Sequence, residues 1–497
     1  MRPVWRVADV RAAEEALMAT LPPGTLMQRA AAGLARRCAL LLADDGGVYG
    51  ARVLLLVGAG NNGGDALYAG ARLAGRGAAV AALLLAPERV DADALAMLRA
   101  AGGRVVGEPP TGIDLVVDGI VGIGGTGGLR PAAAAIVARL AQLRGRTGRR
   151  PPVVAVDVPS GVDVDTGNVD TGDVPTAGEP DGGPALPTAV TADVTVTFGC
   201  LKPALAVGAA AGLAGHVEVV DIGLGPWLRA APALHVPEWD DVAGWWPRLG
   251  PDSEKYTRGV VGISTGSATY PGAAVLSVGG AVAGPTGMIR YAGSAAAQVL
   301  QHYPSVIATD RVANAGRVQA WVCGSGLGGG EAAATELRSV LATPLPAVLD
   351  ADALTLLVDG AMADQLRDRV APIVITPHDR EFARLAGEAP GGDRVGAALK
   401  LAAWMRATVL LKGDRTVVAT PDGRAFANPT GTPVLATGGT GDVLAGLLGS
   451  LLAAGLPPER AALAAAYLHG LAGQEAARQG PVTASEVAAA LRAVVPV

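Results

Sequence analysis

Short apolar runs ending in Gly or Asp, each leading into an Ala/Leu-rich helical stretch, recur at Val53–Val57, Val80–Leu85, Leu115–Asp118, Val153–Asp157 and Val194–Phe198. A helix between two strands returns the chain in the same direction, so this alternation predicts a parallel sheet covered by helices on both faces. The pattern fades after Val217–Asp221, where Pro226, Pro232, Pro237 and Pro247 crowd the chain. It resumes at Val260–Ser264, Val306–Thr309, Ala320–Cys323, Ala347–Asp350, Ile373–Thr376 and Thr408–Lys412. A chain of 497 residues exceeds what one core organises. Two α/β domains are therefore expected, 1–225 and 251–497, joined by a linker at 226–250. Within the first, 169–187 is rich in Pro, Gly, Asp and Thr and reads as a surface loop.

Charge and cysteine usage exclude several classes. Lys and Arg total 40 against 45 acidic residues and are dispersed, so no nucleic-acid partner is expected. Cys38, Cys200 and Cys323 lie far apart without C-x-x-C spacing, which argues against disulfides or zinc and suits the cytoplasm. The uncharged stretch 259–289 is long enough for a membrane span, but its Gly, Ser and Thr with Pro271 and Pro285 read as a packed core. No apolar segment separates Arg2 and Arg6 from Glu14 and Glu15, so neither a membrane nor a secretory signal is expected.

Three loops should meet beyond the carboxyl ends of the first domain's strands, where doubly wound sheets bind ligands. Gly58-Ala59-Gly60-Asn61-Asn62-Gly63 follows a strand as G-x-G-x-x-G and continues into Gly64-Asp65. Small residues there let backbone amides approach a pyrophosphate, while two amides and a carboxylate add groups that can hold a ligand or a cation. The next strand ends in Ala86-Pro87 rather than an acid, unlike an ordinary NAD dehydrogenase. The other two loops are Asp118 before Gly122-Ile123-Gly124-Gly125-Thr126-Gly127-Gly128, and Asp157 in Val156-Asp157-Val158-Pro159-Ser160-Gly161. Each Asp alone also fits a turn residue or helix cap. In the second domain, Thr437-Gly438-Gly439-Thr440-Gly441-Asp442 opens an apolar helix. Free amides at such a start form an anion hole, and Asp442 can accept a hydroxyl proton. No G-x-x-x-x-G-K-[ST] occurs, so a P-loop is excluded.

Residues 8–225, through these three loops, Leu26-Met27-Gln28-Arg29 and Thr197-Phe198 with Lys202, resemble the NAD(P)H-hydrate epimerases, a Rossmann-like three-layer α/β fold. The resemblance implies that Asn61, Asn62, Gly63, Gly64, Asp65, residues 122–128 and Asp157 hold the hydrated dinucleotide, with Asp157 catalytic. It also implies a potassium ion on Asn62, Asp118 and Ser160. Ala66 stands where the family has Gly. Residues 252–496 resemble the ribokinase-like NAD(P)H-hydrate dehydratases through Tyr270-Pro271-Gly272-Ala273, Leu349-Asp350, Thr376-Pro377-His378 with Glu381, Leu411-Lys412-Gly413 and the Gly-Thr-Gly-Asp run. Implied substrate contacts are Ala273, Gly326, His378 and Asp442, with Asp442 catalytic. Lys412, Gly413, Asp414, Arg415, Thr416 and Gly441 would bind nucleotide. Glu254 replaces the usual His before Lys255.

Hydration places a hydroxyl on C6 of the reduced nicotinamide, beside N1. A kinase-like site solves the poor leaving group by phosphorylating it, after which N1 expels phosphate. The resemblance implies NADHX and NADPHX as substrates and ADP as co-substrate with Mg2+, giving AMP; dehydration takes only the S epimer, which explains the fused epimerase. The alternative is a ribokinase-like kinase of a small metabolite with an N-terminal ligand sensor or scaffold. Oligomeric state stays open, a homo-oligomer included.

Overall fold

The computed structural model describes residues 1–44, 46–125, 127–145, 148–170, 186–358 and 360–496. Most of the 169–187 loop and Thr126 thus lie outside the described residues. The chain divides into two compact units, Pro3–Ala233 and Leu234 onward, the latter taking in Met1–Arg2.

In the first unit seven strands, β1 (Arg52–Val57), β2 (Ala79–Leu84), β3 (Arg104–Val106), β4 (Leu115–Gly119), β5 (Val153–Val156), β6 (Val194–Phe198) and β7 (His216–Val220), form one sheet. Their order is 3-2-1-4-5-6-7 and all pairs are parallel. The order reverses between β1 and β4, which opens a crevice at their carboxyl ends. Side-chain alternation along β1 assigns its two faces. Val53, Leu55 and Val57 join the core containing residues of helices α1 (Val7–Met18), α2 (Thr25–Ala43), α3 (Asn61–Ala74) and α4 (Ala92–Ala100). Leu54 and Leu56 join the core beneath α5 (Pro131–Leu140). The unit is a three-layer sandwich.

In the second unit the strands are β8 (Leu234–Val236), β9 (Val260–Ser264), β10 (Met288–Ala292), β11 (Ile307–Thr309), β12 (Ala320–Cys323), β13 (Ala347–Leu349), β14 (Ile373–Ile375), β15 (Thr408–Leu411), β16 (Val417–Ala419) and β17 (Ala425–Ala427). They run in the order 8-17-16-15-14-13-12-9-10-11. From β15 to β11 the sheet is parallel, but β15, β16 and β17 are antiparallel neighbours. The helix-crossover pattern does not reveal that meander, because β16 and β17 are three residues long and Pro421-Asp422-Gly423 between them makes a tight turn with Gly423 at φ 89°. The segment 226–250, expected as a linker, also differs from a plain tether. Strand β8 pairs with β17, and helix α6 (Trp239–Trp245) starts at a Glu238–Asp241 capping box. The uncharged stretch 259–289 is β9, helix α7 (Pro271–Val282) and the start of β10. Among the described residues no helix is long and apolar enough to cross a membrane.

Candidate active sites

In the first unit the polar run after β1 is not a loop: Asn61 to Asp65 form the opening of α3, with Gly60 as its extended N-cap. A Cβ on Gly58 would stand 1.8 Å from the carbonyl oxygen of Ile120, so only glycine lets the β1 and β4 ends approach this closely. Gly122 is as tightly placed, since a Cβ there would lie 2.1 Å from Asn62 Oδ1. Ala66 fits because its methyl faces Gly119, which has none. Met27 of α2 backs the same turn, its sulfur 3.3 Å from where a Gly64 Cβ would be.

Asp118 is fully buried. Its Oδ1 accepts from Ser160 Oγ at 2.7 Å and Ile120 N at 3.3 Å, and its Oδ2 from Ser160 N at 2.9 Å. No cationic side chain is among these partners, and burial pushes the carboxyl up to about 6 against the opposing Ser160 and Ile120 bonds. Asn62 donates from Nδ2 to the Val156 carbonyl, and Ser160 Oγ also accepts from Val121 N at 2.9 Å. The three oxygen-bearing residues expected to meet at β1, β4 and β5 are brought together.

Asp157 adopts φ 68°, which carries its side chain out of the strand direction toward β6. Its Oδ1 accepts from Lys202 Nζ at 2.6 Å, Thr197 Oγ1 at 2.8 Å and Phe198 N at 3.2 Å. Lys202 is 1% exposed and also donates to Thr197 Oγ1 at 2.9 Å and the Phe198 carbonyl at 2.8 Å. Two residues that no motif pointed to complete the site. Arg11 of α1 donates to the Ile123 carbonyl at 3.1 Å, and Glu14, one turn on, is held above the usual carboxylate range by burial, the Lys202 charge opposing and the Asp157 charge adding to it. Only the i, i+3 spacing of Arg11 and Glu14 could have hinted at a shared face.

The second unit's candidates gather where β12 to β15 end against the start of helix α9 (Thr440–Ala453). Asp350, just past β13, accepts on Oδ1 from Lys412 Nζ at 2.8 Å and Thr376 Oγ1 at 2.7 Å, and on Oδ2 from Ser325 Oγ at 2.9 Å. Burial alone would raise its carboxyl; the Lys412 ammonium and these bonds hold it below the ordinary value. Asp442, on the first turn of α9, is pushed up to about 7 by burial and by the Asp350 charge, with Lys412 and Ser325 opposing. Lys412 Nζ stands 3.5 Å from where a Gly441 Cβ would be, so the ammonium lies at the helix start. Ala273 and Gly326 also meet: a Cβ on Gly326, whose φ is 68°, would come 2.7 Å from the Ala273 methyl.

His378 caps helix α8 (Asp379–Ala386): Nδ1 accepts from Arg380 N at 3.1 Å and Glu381 N at 3.3 Å, while Glu381 Oε2 accepts from His378 N at 2.9 Å. The same Glu381 oxygen lies 3.6 Å from Lys412 Nζ, tying the cap to the site. Gly413 accepts at its carbonyl from Thr416 Oγ1 at 3.0 Å, and Asp414 and Arg415 pair with each other at 3.7 Å. Ser325 sits inside the Gly324–Gly329 run and was missed because in so Gly-rich a chain that run reads as composition.

Comparison with known proteins places two families on the chain. A model described as "YjeF-related protein N-terminus" matches residues 23–204, and one described as "NAD(P)H-hydrate dehydratase" matches residues 261–493. The bifunctional NAD(P)H-hydrate repair enzyme Nnr of Mycobacterium tuberculosis (strain ATCC 25618 / H37Rv) is 51% identical over 463 residues, 93% of this chain and 91% of that protein. Its namesake in Mycobacterium leprae (strain TN) is 50% identical over 483 residues, covering 97% and 96%. Among solved structures, the ADP/ATP-dependent NAD(P)H-hydrate dehydratase of Bacillus subtilis matches with TM-score 0.47 at 29% identity, over 52% of this chain and 97% of that one.

Proposed function

Because the chain belongs to the bifunctional NAD(P)H-hydrate repair enzymes, an epimerase joined to an ADP-dependent dehydratase, we propose that residues 1–225 and 251–497 each hold one of the two sites just described. The dehydratase site is the one within residues 251–497. The observation that carries it is Asp442: a half-buried carboxylate on the first turn of α9, beside the Asp350–Lys412 pair, that titrates near neutrality. A base with that property takes the proton of the C6 hydroxyl while remaining ionised enough to act. Amides of Gly439 to Gly441 at the helix start face the phosphoryl group leaving ADP, and Lys412 adds positive charge there. Phosphate then departs from C6 as the N1 lone pair moves in, C5 loses a proton, and the ring double bond is restored, with AMP and phosphate as the other products. Lys412 to Thr416 and Gly441 hold the nucleotide; Ala273, Gly326 and His378 line the hydrate.

In the first unit, residues 61–65, the 122–128 loop and Asp157 hold the hydrate, as NADHX or NADPHX. A potassium ion suits Asn62, Asp118 and Ser160. What supports it is a wholly buried carboxylate with no cationic partner among neutral oxygen donors, a set offering one formal charge and so matching a monovalent ion better than calcium. Bound, the ion would supply fixed positive charge at the crevice. Magnesium would arrive on the ADP phosphates, since among the described residues no three acidic, His or Cys side chains cluster as a cage. Free, buried Cys38, Cys200 and Cys323 suit a reducing cytoplasm.

The test is incubation of the full chain with mixed hydrate epimers and ADP. Recovery of reduced-nicotinamide absorbance with equimolar phosphate is expected; a stable phosphorylated alcohol would overturn the reading in favour of a metabolite kinase.

A further inference from the structure

Among the described residues, one oxygen of a buried acid in the first unit receives no hydrogen bond. Asp65 on α3 is 5% exposed, and its Oδ1 accepts no hydrogen bond. A carboxylate in that position has lost its water without gaining a donor. The charges that act on it are themselves acids, Asp157 and Glu14. Glu14 stands one turn along α1 from Arg11, whose guanidinium donates to the Ile123 carbonyl at the head of the second loop. Lys202 cannot serve Asp65, since its three N–H bonds are committed to Asp157, Thr197 and Phe198. All three bonds to the Asp157 carboxylate fall on Oδ1, and among the described residues Oδ2 receives none. Asp65, with no donor to its Oδ1, is the acid that keeps its proton: burial first, then Asp157 and Glu14, hold its carboxyl well above the usual range. On the other side of the same turn, Asp91 of the α4 cap adds a further acid beside Gly64.

We propose, resting on the epimerase assignment above, that Asp65 is the proton donor and Asp157 Oδ2 the proton acceptor for opening the hydrated ring, with Glu14 a positioning residue that keeps the proton on Asp65. Oδ2 of Asp157 takes the C6 hydroxyl proton, and the freed O–H pair becomes the C6=O bond. The C6–N1 bond breaks, its electron pair goes to N1, and N1 takes the Asp65 proton. The open-chain aldehyde turns about C5–C6 and presents its other face. N1 then adds to C6, Asp65 recovers its proton from N1, and Asp157 returns its own to oxygen. Nothing is oxidised, and the site is reset without a co-reactant. A raised acid opposite an anchored carboxylate is the division of roles that such environments create.

The measurement is R to S interconversion by the full chain without nucleotide, followed chromatographically across pH. Asp65→Asn keeps the side-chain volume and is expected to lower kcat by about 10² to 10⁴-fold with KM changed only a few-fold. Glu14→Gln removes a negative neighbour, so Asp65 ionises earlier and the alkaline limb of kcat/KM moves to lower pH, the loss growing with pH. A uniform loss at every pH would mean that Glu14 only supports the fold, overturning its assigned part. Wild-type interconversion by Asp65→Asn while Asp157→Asn fails would overturn the donor assignment and leave the site reading standing. Normal rates in both variants would overturn the site itself. Should Asp65→Asn fail to fold, shown by a lost melting transition, the direction of the Glu14→Gln limb decides.

Discussion

Asp350 and Asp442 face each other across one site, yet their surroundings push them opposite ways. Asp350 is held ionised against its burial by Lys412, Thr376 and Ser325, whereas burial first, and then the Asp350 charge, push Asp442 up to about 7. Because the base must be ionised, dehydration should increase with pH through about 7 and fall tenfold per unit well below it; a flat kcat profile from pH 5 to 8 would contradict the assignment. Asp442→Asn should cost roughly 10² to 10⁴-fold in dehydration and leave R to S interconversion intact, both read in one preparation. Asp442 was legible because it sits in a local motif. Ser325 and Glu14 were not, because Asp350, to which Ser325 donates, and the Lys202 and Asp157 charges acting on Glu14 lie far along the chain.

At the scale of elements, α9 carries Asp442 and is buried on nearly every side from Val443 to Ala453. An apolar run of that kind announces a helix but not its neighbour. The neighbour is α7, and the two backbones approach through glycine: a Cβ on Gly446 would lie 1.8 Å from the Ser277 carbonyl oxygen, and one on Gly280 would lie 2.0 Å from that of Val443. Gly446→Ala must spread the pair. Overpacking of this sort costs about 1 to 3 kcal/mol, so a melt of the second unit lowered by several degrees, with dehydration impaired and epimerisation kept, is expected. An unchanged melting temperature would mean that the helices part without strain.

At the scale of the molecule, two units with separate cores hold consecutive steps. With mixed epimers and ADP, Asp157→Asn should therefore give a biphasic course, the S fraction repaired at once and the R fraction at its slow spontaneous rate; single-phase repair would show that Asp157 merely shapes a turn. Exchange of potassium for a bulky organic cation should lower the melt of the first unit and slow epimerisation, while repair of pure S hydrate with ADP continues. Unaltered melting and epimerisation would remove the ion from Asn62, Asp118 and Ser160.

The alternation of strand and helix, the two-fold repetition of that pattern and the glycine-bearing strand ends were determined by sequence alone, because periodicity and close backbone approach are set by residues a few positions apart. Local signals stop where partners are distant. The meander at β15 to β17 and the pairing of β8 with β17 depend on which edge is free once the sheet exists. Likewise Asp157, Asp65, Glu14 and Lys202 are four unremarkable charges along the chain. Only the tertiary structure pairs Asp157 with Lys202 and buries Asp65 without a donor, and that burial first, then the Asp157 and Glu14 charges, keeps the proton on Asp65.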